Sequence, residues 1–189
     1  MDALRKITLH PKARDFLFEN FATLRRIFSD VLGQLGIDYI SIALINERGE
    51  IFFLSSNPSI EQNLIEKELW ECDGIYQEDF INQNEHKLWS ELSPIRNPER
   101  LKQYKQQHQK LIEGVSIPTN YGIYRAILSF GFKKMNSLVQ IKSESSHEKL
   151  LAVGKYCLNK ISNIVLFPDG KKDKPKPQLT LVINNLGKL

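Results

Sequence analysis

The chain is poor in the residues that staple a fold, ligate metals or span a membrane. Its 189 residues include two cysteines, two methionines, two tryptophans and four histidines. Cys72 and Cys157 lie far apart and form no CxxC pair, which excludes a disulfide scaffold and makes a reduced, cytoplasmic setting the expectation. The longest apolar runs, such as Ile51–Leu54 and Ile164–Phe167, are four residues, far short of the ~20 that a transmembrane helix needs. The first residues, MDALRKITLH, lack the apolar core of a secretory leader, so none is expected. No P-loop, GxGxxG or GxSxG is present. His10, His86, His108 and His147 never stand three or four residues from another histidine or cysteine, so neither a preformed zinc site nor a cofactor is expected. Glu66, Glu68 and Glu71 cluster without sharing one helix face, and Cys72 has no base beside it in sequence to activate a thiolate. Cys157 reads as a small core residue, His108 as a solvated one. The expectation is a protein that is not an enzyme.

What is present is ordinary for a folded domain: 41% hydrophobic and 25% charged residues, in a chain long enough to bury a core without a disulfide or metal. The formal charge of +4 is unevenly placed. Lys171, Lys172, Lys174, Lys176 and Lys188 face only Asp169 and Asp173 in the last residues, so +3 of that charge sits in the tail. So few cations make few phosphate contacts; the tail reads as a solvated linker.

Between Pro11 and Leu35, apolar residues from Phe16 to Leu35 recur at three- and four-residue spacing. This pattern predicts one long amphipathic helix closed by Gly36. Tyr39–Ile45 and Ile51–Leu54 read as strands joined by a turn at Glu47–Glu50. Asn57-Pro-Ser59 opens a helix that should run to about Trp70, with Ile60, Leu64, Ile65 and Leu69 on one face. Short helices follow, and Glu99–Leu111 reads as helical with an exposed Lys/Gln face. Gly114–Pro118 and Gly122–Phe132 read as strands, Leu138–Lys142 as another. Ser145 and Ser146 can cap a last helix bearing Leu150, Leu151, Val153, Tyr156, Cys157 and Ile161. Strands in hairpins interrupted by helices predict an α+β domain, an antiparallel sheet with helices on both faces.

The segment from Gly36 to Phe132 resembles the N-terminal autoinducer-binding domain of LuxR-type quorum-sensing regulators. Four stretches carry the resemblance: Gly36-Ile-Asp-Tyr-Ile40 after the first helix; Ser55-Ser-Asn-Pro-Ser-Ile60; Asp73, thirteen residues after Ile60, with Trp89 sixteen further on; and Gly114-Val-Ser-Ile-Pro118 followed by Gly122. The resemblance implies an α-β-α sandwich around a five-stranded antiparallel sheet, a PAS/GAF-like sensor fold, over residues 1–167, with 168–189 a Lys/Pro linker and remnant. It implies that Asp73 accepts a hydrogen bond from a signal's amide and that Trp89 donates one to a carbonyl. Gly114 would lie beside the pocket, where a side chain would intrude. The family's pocket Trp and Tyr would fall at Ile60 and Leu64, neither of which can donate a hydrogen bond. An ordinary acyl-homoserine lactone should therefore be a poor ligand and a more apolar signal a better one, with Tyr39, Tyr76 or Tyr124 as substitute donors. Only nine residues follow Leu179-Thr180, where such regulators begin a helix-turn-helix domain, so no direct DNA binding is expected of this chain. The implied partners are a small apolar signal, lactone-like or other, and a second copy or a LuxR-type regulator as dimer partner, through the first and last helices. A ligand-independent interaction module, or the truncated sensor half of a DNA-binding regulator, is the alternative.

Overall fold

The computed structural model describes residues 6–134 and 144–170. The strand expected at Leu138–Lys142 and the Leu179-Thr180 pair fall outside these residues. The elements in chain order are β1 (Thr8–Leu9), α1 (Ala13–Glu19), α2 (Phe21–Ser29), β2 (Tyr39–Ile45), β3 (Glu50–Ser55), α3 (Pro58–Glu66), α4 (Glu78–Ile81), β4 (Lys87–Leu88), α5 (Pro98–Lys102), β5 (Glu113–Tyr121), β6 (Tyr124–Phe132) and α6 (Glu144–Ser162). Short 3₁₀ turns occupy Gln34–Gly36, Trp70–Cys72, Gly74–Tyr76 and Trp89–Glu91, and a π-helical segment, Gln103–His108, continues α5.

The expected α+β sandwich is observed, with two differences in the sheet. It has six strands among the described residues, in the order β1-β3-β2-β6-β5-β4, rather than five. The four long strands pair antiparallel, but β1 lies parallel to β3 through Thr8 and Leu9. Two-residue edge strands such as β1 and β4 are too short to carry a hydrophobic period, so the sequence pattern does not reveal them.

The long first helix is divided. Asn20, a weak helix former, adopts non-helical torsions (φ −116°, ψ 18°) between α1 and α2. Gly33 at φ 87° then turns the chain before the expected stop at Gly36. The helix from Asn57 ends at Glu66, with Glu68 at positive φ beyond it. The β5–β6 hairpin turns at Gly122 and Ile123, since Tyr121 still pairs with Tyr124.

Strand alternation sorts side chains into two cores. Ile40, Ile42, Leu44, Phe52, Leu54, Leu128 and Phe130 point to the face covered by α2 and α6, which contribute Leu24, Phe28, Leu150, Cys157, Leu158 and Ile161. The opposite face, with Tyr39, Ala43, Phe53 and Ile127, is covered by α3 and the chain from Trp70 to Leu111. Both amphipathic helices thus spend their apolar faces on the sheet. What α6 and its extension leave outward is Tyr156, Ile164 and Leu166. No helix of the described residues is long and apolar enough to cross a membrane.

Candidate functional site

On the second face the sheet presents small and polar groups where a core would normally place aliphatics. Ser55 pairs with Ser41, Ser41 with Ser129, and Ser129 with Ser116, so four serines form one row across β3, β2, β6 and β5. All four are buried. In the next row Tyr39 pairs with Gly131, and Gly131 with Gly114. The missing Cβ atoms leave a flat patch, and the Trp89 indole lies on it. A Cβ at Gly114 would come within 2.2 Å of the Trp89 ring and one at Gly131 within 3.2 Å. Trp89 is held there by donating its Nε1–H to Ser116 Oγ (3.0 Å), which in turn bonds Ser129 Oγ (2.8 Å).

The structure brings Tyr39, Ile60, Leu64, Asp73, Tyr76 and Trp89 around one small void of about 10 Å³ between the sheet and α3. That is room for about one water. Gly114 lies beneath Trp89 rather than on the void wall. Tyr124 points to the other core, against Phe52 and Phe167, so it is no donor for this site. Ile60 and Leu64, four residues apart on α3, share one apolar face.

Asp73 is 3% exposed. Its Oδ1 caps the turn at Gly74–Tyr76 by accepting the Ile75 N–H (3.2 Å). Its Oδ2 receives the Lys105 ammonium at 2.5 Å. Lys105 Nζ also stands over the Trp89 ring, 4.5 Å from its centroid. The sequence pattern puts Lys105 on a solvated Lys/Gln face; the π-helical turn shifts the residues after Lys102 relative to an α-helix and turns Lys105 inward. No sequence signal beyond one lysine among glutamines points to it.

A cleft of about 410 Å³ opens on the outer side of this ion pair. Leu92, Pro94, Leu101 and Leu111 give it apolar walls, and Asp73, Trp89 and Lys105 form its inner end. Lys105 therefore stands between the cleft and the small void, lining both.

Deeper on the same face lies a buried acid that sequence reasoning misses. Glu61 accepts the Tyr39 hydroxyl on Oε1. Burial drives its carboxyl above the usual range, with the nearby Ser55 and Tyr39 hydroxyls pulling it partly back. Yet neither Glu61 Oε2 nor Ser41 Oγ has a hydrogen-bond partner. Burial likewise pushes Tyr39 and Tyr76 well above the ordinary phenol value, and Glu61 adds to both. These phenols remain neutral donors. The available signal is Ser41 and Ser55 in phase on apolar strands, with Glu61 beside Ile60 at the start of α3.

One cluster of metal-ligand type occurs among the described residues: His10, Glu50 and Asp169. Its groups are already engaged. Asn46 and Arg48 bond both carboxylates, and His10 Nδ1 accepts the Lys12 N–H while Nε2 faces Asp169 at 3.4 Å. The arrangement is an ionic clasp between β1, the β2–β3 turn and the end of the described chain. Cys157 is buried with its thiol pushed up to about 12, chiefly by burial, so it is no nucleophile.

No protein-family model matches the chain, and no curated protein sequence does. Solved structures do share its fold. Escherichia coli SdiA is 16% identical, with a TM-score of 0.60 over 89% of this chain and 73% of that one. SdiA in complex with octanoyl-rac-glycerol gives 17%, 0.57, 85% and 71% in the same order. CepR2 from Burkholderia cenocepacia, an N-acylhomoserine lactone dependent LuxR family transcription factor, is 13% identical, with a TM-score of 0.52 over 78% of this chain and 97% of its own. The chain shares the fold of these proteins, and the family printed for CepR2 is the one its motifs resemble. At such identities the likeness speaks for the fold.

Proposed function

We propose that the chain is a non-catalytic, small-molecule sensing domain of LuxR type that acts through dimerisation to modulate transcription. The observation that carries the reading is the convergence of Asp73, Trp89, Tyr39, Tyr76, Ile60 and Leu64 around one point beneath the cleft. A cleft with apolar walls and a few convergent polar groups is the usual form of a small-molecule site. The serine row and the glycine pair behind Trp89 make that face of the sheet shallow and polar, where a purely structural core would favour aliphatic packing. The fold neighbours include a protein solved with octanoyl-rac-glycerol and one described as N-acylhomoserine lactone dependent. For this chain, a ligand with an apolar body is favoured, because Ile60 and Leu64 offer no donor. Phe18 on α1, and Tyr156, Ile164 and Leu166 on and after α6, are exposed apolar groups that the first and last helices offer a dimer partner.

The second reading, a ligand-independent interaction module, draws on a different observation. The inner void holds little more than a water, and Asp73 already has a cation. Native mass spectrometry of the protein purified from its own host separates the two. A reproducible extra mass, absent from Asp73→Asn, is the expected result. A bare chain in stoichiometric complex with another protein would replace the sensor reading with the module.

A further inference from the structure

The inner end of the cleft is chemically unusual in what it holds. A buried carboxylate and an indole face converge on a single point, and that point is occupied by a primary ammonium. These are the two groups that together recognise alkylammonium ions: one neutralises the charge and accepts a hydrogen bond, the other attracts the cation through the ring quadrupole. We propose that the Asp73–Trp89 site is an alkylammonium receptor filled by the chain's own Lys105, and that its ligand carries an amine head on an apolar body. The proposal rests on the small-molecule reading above and names the ligand class.

The alternatives fare worse on charge. An anionic ligand would have to draw Lys105 off Asp73 and leave a carboxylate that is 3% exposed without its cation, the costly way to break a buried pair. A neutral amide would replace an ion pair with a single bond from an uncharged donor. An ammonium exchanges like for like, keeping both the carboxylate contact and the ring contact. The rest of the cleft agrees. With Lys105 swung out, Asp73, Glu99 and Glu113 face Lys102 alone, a lining that disfavours anions. The exit is short, because the Lys105 side chain is 15% exposed at the cleft and its neighbours Gln106 and Gln107 already face solvent. Leu92, Leu101 and Leu111 would take the apolar body.

The test is chemical rescue of the full chain by thermal denaturation. Lys105→Ala should melt lower than wild type, and n-butylammonium should restore it, by about 4 °C at ten times its Kd. Equal concentrations of n-butanol should not. Lys105→Met, which keeps the stem's bulk without the charge, should not respond to the amine, and neither should Lys105→Ala combined with Asp73→Asn. Equal effects of butanol and butylammonium, or rescue that survives Asp73→Asn, would overturn the assignment. Asp73-dependent rescue by neutral N-butylacetamide but not by the amine would overturn the ammonium class and leave the small-molecule reading standing. No Asp73-dependent response to either probe would remove both. Should Lys105→Ala fail to fold, n-hexylammonium titrated into wild type decides the matter: stabilisation lost in Asp73→Asn supports the proposal, and no stabilisation overturns it.

Discussion

Gly114 is the position where the geometry makes its sharpest quantitative demand. A methyl group there would stand 2.2 Å, 2.3 Å and 2.4 Å from three atoms of the Trp89 indole, well over 1 Å inside van der Waals contact. The neighbour is a rigid ring, not the end of a flexible chain, so it must move as a unit. Moving it loses the Nε1–H bond to Ser116, worth about 1 kcal/mol, and displaces the ring from beneath Lys105. Repacking adds about 1–3 kcal/mol. Replacing a strand glycine works in the other direction by roughly 0.5–1 kcal/mol, since alanine loses less backbone entropy. The net expectation for Gly114→Ala is a loss of about 1–3.5 kcal/mol, or roughly 2–14 °C in Tm for a chain of this size. Urea denaturation in a double-mutant cycle with Trp89→Ala checks the cause. If the clash is with the indole, Gly114→Ala costs nothing, or stabilises slightly, once the ring is gone. A cost that persists unchanged in the Trp89→Ala background would refute the reasoning.

Other outcomes follow from the buried polar groups. Glu61 has a carboxyl raised by burial, so the folded chain keeps its proton to higher pH than the unfolded chain. Its contribution is therefore full below the unfolded value and declines as pH rises through the folded one, with a slope of up to about 1.4 kcal/mol per pH unit. Glu61→Gln should gain stability over wild type across that rise in urea melts from pH 4.5 to 7.5, and parallel curves would contradict the assignment. Asp169 behaves with the opposite sign: partial burial raises its carboxyl, but the Asn46 amide, His10 and Arg48 more than offset this, so its contribution fades as pH falls through the lowered value. Asp169→Asn should flatten the acid limb of the stability profile. Arg125 donates from Nε to the Ile81 carbonyl (2.7 Å) and from its guanidinium to the Gln83 carbonyl, tying α4 to β6. Arg125→Ala should cost roughly 2–3 kcal/mol, and hydrogen exchange should show the loss concentrated at residues 78–84. Cys157 should resist iodoacetamide in the native protein at pH 8 and react only on unfolding; rapid native alkylation would show the thiol to be accessible.

Residue alternation and turn chemistry by themselves determined the sandwich. Tyr39–Ile45, rich in β-branched residues, reads as a strand, and the turn at Glu47–Glu50 returns the chain alongside it, as β2 and β3 pair. The periodicity of Phe16 to Phe28 and of Leu150 to Ile161 marked helices with one apolar face, and the structure lays those faces on the sheet. The sequence also marked Asp73 and Trp89 by their spacing within a resemblance, and Ile60 and Leu64 as an apolar wall. What it could not carry is which groups meet. Lys105 reaches Asp73 only because a π-helical turn rotates it inward, and no hydrophobic period encodes that turn. The serine row exists only when β3, β2, β6 and β5 are in register, since each serine alone is an ordinary polar residue in a strand. Glu61 became a buried acid because α3 lies across that row. Local sequence sets the torsions and faces of each element, whereas a site is made by residues far apart in the chain, and only the packing of the elements decides which of those distances close.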